Sequence, residues 1–282
     1  MKEKVAIMTD STCDIPQEII AEYGIKVVPL RILYENEEYR DKIDISAEEV
    51  YERLPREIPS TSLPSPEDVL ALFADLKEKG FTHVIAIHIS SGLSGTAQLI
   101  ENLSHQIKDL VIEVIDSKNI SMGLGYTVIE AARKLKENQS FEAVRRHVLA
   151  TLAKMRVYFV LGTLEYLTKG GRIGKVAGTL GQILNLKPII TVNEDGIYTT
   201  HAKVRGRRRS LDELFATIKT HLAESMHNVA ICHGGAKEEA QELVERLKKL
   251  GNIAELITGH VSPVIGVHTG PGTLGLVVYP TD

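Results

Sequence analysis

The sequence predicts an α/β fold in two domains, the first a mainly parallel three-layer sheet domain and the second an α/β domain with a mixed sheet. Two observations support this prediction. In the first half of the chain, short apolar runs alternate with helical patterns, which favours parallel strands with helices on both faces of the sheet. After about residue 155, a hairpin signal interrupts this alternation and adds an antiparallel component. We therefore expect domains at residues 1–155 and 156–282.

Strands of the first half are predicted at four apolar runs, residues 5–8, 27–33, 84–89 and 111–116. The helices between them begin at recognisable caps. Ser46 and Glu49 form a capping box, and Ser65 precedes a proline and two acids in a first turn. Asp14 is expected to cap another helix, with Pro16 in its first turn. Further helices are predicted from residue 96 to about residue 108 and at residues 122–137 and 141–154.

The second half is predicted to begin with a strand at residues 157–161, followed by an apolar helix at residues 176–184. Asp195 and Gly196 are a turn signal that joins strands 189–192 and 197–202 into a hairpin. A basic loop at residues 205–209 is then expected before a helix. The remaining strands are predicted at residues 229–232, 254–257 and 274–279, and a glycine-rich segment at residues 268–272 precedes the last one.

The composition excludes several classes of protein. The net charge is −4 and the pI is about 6.2, so no overall charge attracts the chain to nucleic acid or anionic lipid. No window approaches ~18 uninterrupted apolar residues, and we expect no membrane span. Cys13 and Cys232 lie far apart, and the first residues lack the apolar core of a signal peptide. We therefore expect a protein of the reducing cytoplasm, without integral membrane contact.

The loop at residues 90–96 is the first candidate binding site. It follows an apolar strand and precedes a helix, where free N–H groups and the helix dipole favour anions. Two glycines let the backbone approach a ligand closely, and Ser91, Ser94 and Thr96 offer hydroxyl donors without charge. A serine-rich helix cap with turn glycines has the same pattern, so both interpretations stay open for this loop.

Hydroxyl groups occupy two comparable junctions elsewhere. Residues 9–12 follow the first strand, and Thr61 and Ser62 precede a helix cap. In a parallel sheet the first junction and the loop at residues 90–96 share one edge, so three junctions can converge on one anion. Asp10 and Asp14 are weak candidates for a metal site, because no cluster with metal-binding spacing stands nearby.

Two residues of the second half are further candidates. Arg172 stands among glycines, which exposes a guanidinium beside a close-packed backbone, and a solvated arginine in a simple turn is the alternative. His268 precedes a rigid turn, and a structural histidine is the alternative there. Residues 92–96 miss the G-x-S-x-G pattern at their last position, and the sequence has neither a P-loop nor a G-x-G-x-x-G fingerprint.

The segment at residues 203–209 concentrates five positive charges on a mildly acidic chain. It lacks the interleaved aromatic residues of a nucleic-acid site, and we expect no nucleic-acid partner. Docking of an acidic partner through Arg205, Arg207 and Arg208 and an ordinary solvated loop both fit the pattern.

Together these motifs resemble those of the DegV family, whose members include the fatty-acid-binding subunits of bacterial fatty acid kinase. Each motif alone is weak, but the set is specific and covers almost the whole chain. The segments that carry the resemblance occur in this order: Thr9-Asp10-Ser11-Thr12, Thr61-Ser62-Leu63-Pro64-Ser65, Ser90-Ser91-Gly92-Leu93-Ser94-Gly95-Thr96, Leu164-Glu165-Tyr166-Leu167 with Gly170-Gly171-Arg172-Ile173-Gly174, and Gly266-Val267-His268-Thr269-Gly270-Pro271-Gly272.

The resemblance implies a two-domain α/β fold with a long-chain, palmitate-like fatty acid between the domains. Thr61 and Ser94 would hold its carboxylate, and Arg172 and His268 would surround that head group. The acyl tail would occupy an apolar tunnel in the second domain, where residues 173–190 supply an apolar run. Ser62, Ser91 and Thr96 belong to the same motifs and are further ligand-binding candidates.

The resemblance also implies a partner. A separate kinase subunit would phosphorylate the bound carboxylate, and the acyl-phosphate would pass on to phospholipid synthesis. The chain itself would be no enzyme and would need no cofactor or metal, and its basic loop would contact the kinase subunit. Two other functions stay open at this point: a serine esterase or small-molecule phosphotransferase using Ser94 and His268, and a nucleic-acid-binding or regulatory protein acting through residues 203–209.

Overall fold

The structure is a computed structural model that describes residues 3–179 and 185–281. The elements of the first half are, in chain order, β1 (Val5–Asp10), a 3-10 turn (Ser11–Cys13), α1 (Gln17–Tyr23), β2 (Lys26–Val28), β3 (Arg31–Leu33), β4 (Glu38–Arg40), α2 (Ala47–Arg53), β5 (Ser60–Ser62), α3 (Pro66–Glu78), β6 (His83–His88), α4 (Thr96–Ser104), β7 (Val111–Asp116), α5 (Met122–Lys136) and α6 (Phe141–Lys154). Four strands form a parallel sheet in the order β2-β1-β6-β7. Alternate strand residues pack on α3 and α4 on one face and on α5 and α6 on the other, as predicted for a three-layer arrangement.

The second half forms a larger sheet. Its elements are β8 (Arg156–Val160), α7 (Glu165–Lys169), a 3-10 helix (Gly174–Thr179), β9 (Ile189–Val192), β10 (Tyr198–Ala202), α8 (Arg207–Glu224), β11 (His227–Gly234), α9 (Lys237–Leu247), β12 (Ile253–His260), α10 (Pro263–Thr269) and β13 (Thr273–Pro280). The strand order is β10-β9-β8-β13-β11-β12, with β11 and β12 parallel and the other neighbours antiparallel. The predicted mixed sheet is confirmed, and Gly196, at a φ of 77°, lies in the turn of the predicted hairpin.

A small antiparallel sheet in the order β4-β3-β5 was not expected from the sequence. The apolar run predicted as one strand at residues 27–33 is divided between β2 and β3, which belong to different sheets. Pro29 stands at the division, where the lack of an N–H group prevents a continuous ladder. The small sheet matters for function because β5 carries Thr61, which pairs with Ile32 of β3.

Two of the predicted helix caps are confirmed. Ser46 and Glu49 exchange the two hydrogen bonds of a capping box, and Ser65 accepts a hydrogen bond from the N–H of Asp68. The cap predicted at Asp14 is wrong, because Pro16 precedes α1 and Asp14 adopts a left-handed conformation with a φ of 53°. Its carboxylate is buried and binds groups far away in the sequence.

Three predicted segments of the second half differ from the structure. The prediction of a basic loop at residues 205–209 is wrong from Arg207 onwards, because Arg207 begins α8. Arg207, Arg208 and Arg209 form the first turn of this helix. His268 lies within α10 rather than in a loop, because Ser262 and Pro263 start a helix that sequence inspection passed over. Of the apolar helix predicted at residues 176–184, the structure describes only the part up to residue 179, which is 3-10 helix, and residues 180–184 lie outside the described residues.

Helix α5 joins the two sheets. Nearly all of its first ten residues are buried, and it packs against β1 of the parallel sheet and against β11 and β13 of the mixed sheet. The hydroxyl of Tyr126 donates to the carbonyl of Val229 at 2.8 Å. The largest apolar cluster therefore runs through both sheets, and the division of the chain at residue 155 remains a prediction. Across the described ranges, no helix combines the length and the apolar character needed to cross a membrane.

A buried cluster of charges holds α10 in place. Asp14 accepts hydrogen bonds from the Lys42 ammonium at 3.0 Å, from the Ser121 hydroxyl at 2.6 Å and from the N–H of Ser262 at 2.8 Å. Asp41 accepts a hydrogen bond from the N–H of Val264 at 3.0 Å. The first N–H groups of α10, which lack partners within the helix, are thus bound by carboxylates from the first half of the chain.

The charge cluster predicts a dependence of stability on pH. Burial raises the pKa of Asp41 from 3.8 to about 7, although the charge of Lys42 opposes this shift. The folded chain therefore binds a proton that the unfolded chain releases, so the contribution of Asp41 to the free energy of unfolding falls as the pH rises from 4 through about 7. At ~1.4 kcal/mol for each pKa unit, the loss is roughly 4 kcal/mol.

Urea unfolding of the wild type and of Asp41→Asn measures this effect. The stability of the wild type relative to the variant should decrease between about pH 4 and pH 7. Asp109→Asn is the matched control, because the side chain of Asp109 is 86% exposed and its left-handed φ suits asparagine. A difference between wild type and Asp41→Asn that does not change with pH would contradict the prediction.

Candidate functional site

A cavity of about 200 Å³ lies where the carboxyl ends of β1 and β6 meet β5 and α10. Polar side chains line much of it: Thr12, Thr61, Ser62, Ser94, Arg172, His268 and Thr269, together with the phenol of Tyr198. The other lining residues are mostly apolar, among them Leu30, Ile89, Leu93 and Ile120. The three hydroxyl-bearing junctions predicted to converge on one site therefore do so.

Thr61 and His268 form a hydrogen-bonded pair at the wall of the cavity. The Oγ1 of Thr61 lies 2.8 Å from the Nε2 of His268. The Nδ1 of His268 is buried without a hydrogen-bond partner among the described residues, and it faces Gly170, where a Cβ atom would come within 2.2 Å of it. Burial, with a smaller contribution from the charge of Arg172, lowers the pKa of His268 to about 4. The imidazole is therefore neutral at neutral pH.

Ser94 lies at the start of α4. Its Oγ is 2.9 Å from the Oγ1 of Thr96, and its N–H donates to the carbonyl of Ser90 at 3.0 Å. Gly95 occupies the N-cap position, so no side chain of that residue covers the first N–H groups of the helix. The hydroxyl of Ser94 thus faces the cavity beside a helix N-terminus, where the helix dipole favours negative charge.

Arg172 places a positive charge at the cavity, and no carboxylate of the described residues pairs with it. Its Nη1 donates to the carbonyl of Gly170 at 2.7 Å and its Nε donates to the carbonyl of Leu93 at 3.4 Å. None of the ion pairs among residues 3–179 and 185–281 includes Arg172. A half-buried guanidinium bound only to neutral carbonyls attracts an anionic ligand.

The junction after β1 contributes less than its sequence suggested. The hydroxyl of Thr12 lines the cavity but donates to the carboxylate of Asp10. Burial by itself would raise the pKa of Asp10, but hydrogen bonds from His88, Thr12 and the N–H of Ile89 lower it overall. Asp10 is therefore a buried, ionised support for the loop. Among the described residues, no group of three or more His, Cys, Asp and Glu side chains is arranged to hold a metal ion.

Two of the candidate ligand-binding residues do not line the cavity. Ser91 is exposed, and its hydroxyl accepts a hydrogen bond from Lys118 at 3.0 Å. Thr96 is fully buried and contacts Ser94 from behind. Its place is therefore that of a support for Ser94.

The candidate docking arginines are at a different surface. Arg205 and Arg208 are exposed, whereas Arg207 makes two hydrogen bonds with the carboxylate of Glu239. Arg207 is consequently fixed within the fold, and Arg205 and Arg208 are the members of the set with accessible charge.

A narrow apolar cavity of about 30 Å³ extends the first one towards the mixed sheet. The two cavities share Ile120, Tyr198, Ile265 and Thr269 as lining residues. The inner walls come mainly from β8, β10, β11 and β13, through residues that include Phe159, Cys232 and Val277. Because the two cavities share walls, they form one continuous candidate site that is polar at its outer end and apolar at its inner end.

The resemblance implied an apolar tunnel in the second half of the chain, with residues 173–190 as its source of apolar side chains. No described residue of the segment 173–190 lines either cavity, and residues 180–184 lie outside the described residues. The inner cavity is lined instead by residues such as Phe159 on β8 and Tyr198 on β10. The pairing of both strands with β9 brings these two side chains to the same face of the sheet. The sequence shows that side chains alternate along each strand, but it does not show which strands pair with each other.

Comparison with known proteins agrees with this architecture. A family model described as an uncharacterised protein of the DegV family matches residues 4–281. A DegV domain-containing protein of Clostridium acetobutylicum is 42% identical over 98% of this chain and 99% of its own. A Thermus thermophilus DegV-family structure, described by its fatty acid binding, superimposes with a TM-score of 0.92 at 31% identity, covering 98% of this chain and 99% of that one.

A further solved structure, a stearic acid-binding protein from Eubacterium ventriosum, is 30% identical with a TM-score of 0.90, covering 98% of each chain. The match of the family model over almost the whole length and the similarity to these relatives lead to one conclusion: the chain belongs to the DegV family.

Proposed function

We propose that the chain binds one long-chain fatty acid, with the carboxylate in the outer cavity and the acyl tail in the inner one. The observation that carries this proposal is the change from polar to apolar walls between two cavities that share four lining residues. An amphipathic ligand with one anionic end matches that change. The fatty acid binding described for relatives from Thermus thermophilus and Eubacterium ventriosum supports the same ligand class.

The carboxylate is held chiefly by neutral donors in this proposal. His268 is neutral, and when its Nε2 donates to Thr61 the hydroxyl proton of Thr61 is left for the ligand. Likewise, when the hydroxyl of Thr96 donates to Ser94, the hydroxyl proton of Ser94 is left for the ligand. Arg172 adds a positive charge that compensates the buried carboxylate.

The acyl tail supplies most of the binding free energy. Each buried methylene contributes about 0.8 kcal/mol, so some twelve methylenes contribute roughly 10 kcal/mol before the costs of ordering the chain. The inner cavity, at about 30 Å³, matches the volume of roughly one water molecule. The walls must therefore move apart to admit a chain.

We further propose that the chain presents this carboxylate to a separate kinase subunit in the cytoplasm, which forms an acyl-phosphate for phospholipid synthesis. The outer cavity brings hydroxyls and Arg172 to the carboxylate but no nucleotide-binding motif. The proposed docking surface includes Arg205 and Arg208, whose charges are accessible, next to Arg207 at the start of α8.

The alternative of a serine esterase or phosphotransferase has no support in the geometry. The hydroxyl of Ser94 contacts Thr96, and the Nε2 of His268 contacts Thr61, so a nucleophile and a base are not paired. No carboxylate orients the Nδ1 of His268 within the described part of the chain. Turnover of a chromogenic acyl ester that is lost in Ser94→Ala would contradict this assessment.

The head-group contacts predict a loss of affinity. Thr61→Val combined with Ser94→Ala removes two donors to the carboxylate, and affinity for palmitate should fall by roughly 100-fold or more. Affinity for hexadecanol, which has the same chain without the charge, should change much less. Isothermal titration calorimetry of both ligands measures the difference.

The matched control for the head-group variant is Ser104→Ala with Thr220→Val, because these hydroxyls bind carbonyls of their own helices far from the cavity. This control should bind palmitate as the wild type does. Equal losses for palmitate and hexadecanol in the cavity variant would show that the substitutions disturb the tail site and not the carboxylate site.

If the docking surface is correct, phosphorylation by the kinase subunit and affinity for palmitate can be changed independently. Arg205→Glu with Arg208→Glu should slow phosphorylation of the bound acid by the kinase subunit of a DegV-containing bacterium at least about tenfold, because favourable long-range attraction becomes repulsion. Palmitate affinity should stay unchanged. Lys219→Glu with Lys249→Glu makes the same charge change on other exposed positions, and it should leave phosphorylation intact. Unchanged phosphorylation in the arginine variant would place the docking surface elsewhere.

A further inference from the structure

The turn between β9 and β10, residues 193–197, contacts Ser90 and Gly92 of the loop that carries Ser94. The hydroxyl of Ser90 donates to the carbonyl of Gly196 at 2.8 Å and accepts a hydrogen bond from the N–H of Gly92 at 3.1 Å. Ser90 is fully buried, and its carbonyl accepts the N–H of Ser94. A single residue thus connects the loop that carries Ser94 with the hairpin.

Glycines make the fit of this turn unusually close. A Cβ atom at Gly92 would lie 2.6 Å from the carbonyl oxygen of Gly196 and 2.9 Å from the side chain of Ile197. A Cβ atom at Gly174 would lie 2.7 Å from the carbonyl oxygen of Tyr198 and 3.0 Å from Ile197. Ile197 therefore fits between two glycines, one from each half of the chain.

The turn lies where the cavity would have to open. Leu93, Ser94 and Gly95 line one side of the outer cavity, and Tyr198 lines both cavities. The ring of Tyr198 packs against Phe159, with ring centroids 5.1 Å apart. Tyr198 directly follows Ile197, so a movement of residues 193–197 away from Ser90 would carry its wall away from the wall formed by Leu93, Ser94 and Gly95.

The contacts that hold the turn closed are few. Apart from the Ser90 hydrogen bond and Ile197, the side chain of Lys118 lies beside Gly196, where a Cβ atom would be 3.1 Å from its Cδ, and Asp195 forms an ion pair with Lys175 at 3.1 Å, with both side chains more than half exposed. Such an exposed pair adds little stability. A small set of contacts of this kind opens at a lower free energy than the shared core does.

We propose that residues 193–197 act as a latch: release of Gly196 and Ile197 from Ser90 and Gly92 opens the cavity for entry and exit of the acyl chain. The proposal rests on the proposed binding of a fatty acid for its physiological meaning. The opening itself can be measured without any ligand, through the buried thiol of Cys232 on the wall of the inner cavity.

The ligand-free test follows the reaction of Cys232 with an aromatic disulfide reagent, in a Cys13→Ala background that leaves one thiol. Gly92→Ala places a methyl group against Gly196, and overpacking of this kind should raise the labelling rate about 10- to 100-fold. Ser90→Ala removes the hydrogen bond and should raise it by up to about tenfold. Gly251→Ala is the matched control, because nothing lies within 4 Å of its added Cβ.

Two further measurements separate the latch from other causes. Local opening gives a labelling rate that low concentrations of urea hardly change, whereas labelling through global unfolding rises steeply with urea. Release of cis-parinaric acid, a fluorescent fatty acid, should accelerate in the same variants and in the same order. Its equilibrium affinity should change less than its release rate, because both association and dissociation pass through the open state.

The outcomes are distinct. Labelling rates of Ser90→Ala and Gly92→Ala equal to that of Gly251→Ala would overturn the latch, and so would increases that appear only through global unfolding. If Gly92→Ala does not fold, Ser90→Ala alone decides by the same criterion. If the wild type fails to bind cis-parinaric acid and palmitate, the proposed function is wrong, while the thiol measurement still decides whether the latch opens.

Discussion

Helix α10 is fixed by carboxylates that lie far from it in the sequence, and the binding site depends on this anchorage. Asp14 and Asp41 bind the N–H groups of Ser262 and Val264 at one end of the helix. At the other end, His268 contacts Thr61. Burying two carboxylates near one lysine is costly, and the hydrogen bonds to the helix and to Ser121 offset part of that cost. The position of the imidazole is therefore set by charges outside the cavity.

The outer cavity combines a permanent charge with neutral donors, and the fold holds the charged group in place. Arg172 is already bonded to the carbonyls of Gly170 and Leu93, so its orientation is fixed before a ligand arrives. The hydroxyls of Thr61 and Ser94 add donors without charge at the same cavity, and each is held by a neighbouring side chain, His268 and Thr96 respectively.

Features encoded by neighbouring residues could be predicted from the sequence. The capping box at Ser46 follows from a local pattern, and the meeting of Thr12 with Ser94 at one cavity follows from the common edge of a parallel sheet. The role of Asp14 could not be predicted, because its partner Ser262 is 248 positions away. The presence of Tyr198 and Phe159 in one cavity could not be predicted for a similar reason, because it depends on the order in which the strands pair. Family resemblance supplied the lipid, which no residue pattern identified.

The separation of Thr61 from His268 by 207 positions has a consequence for synthesis of the protein. Chains emerge from the ribosome with their N-terminal segments first, and contacts between distant segments form late. Until the segment beyond residue 260 is available, Thr61 lacks its imidazole and Asp14 lacks the helix it anchors. In a growing chain the outer cavity is therefore incomplete until α10 has been synthesised.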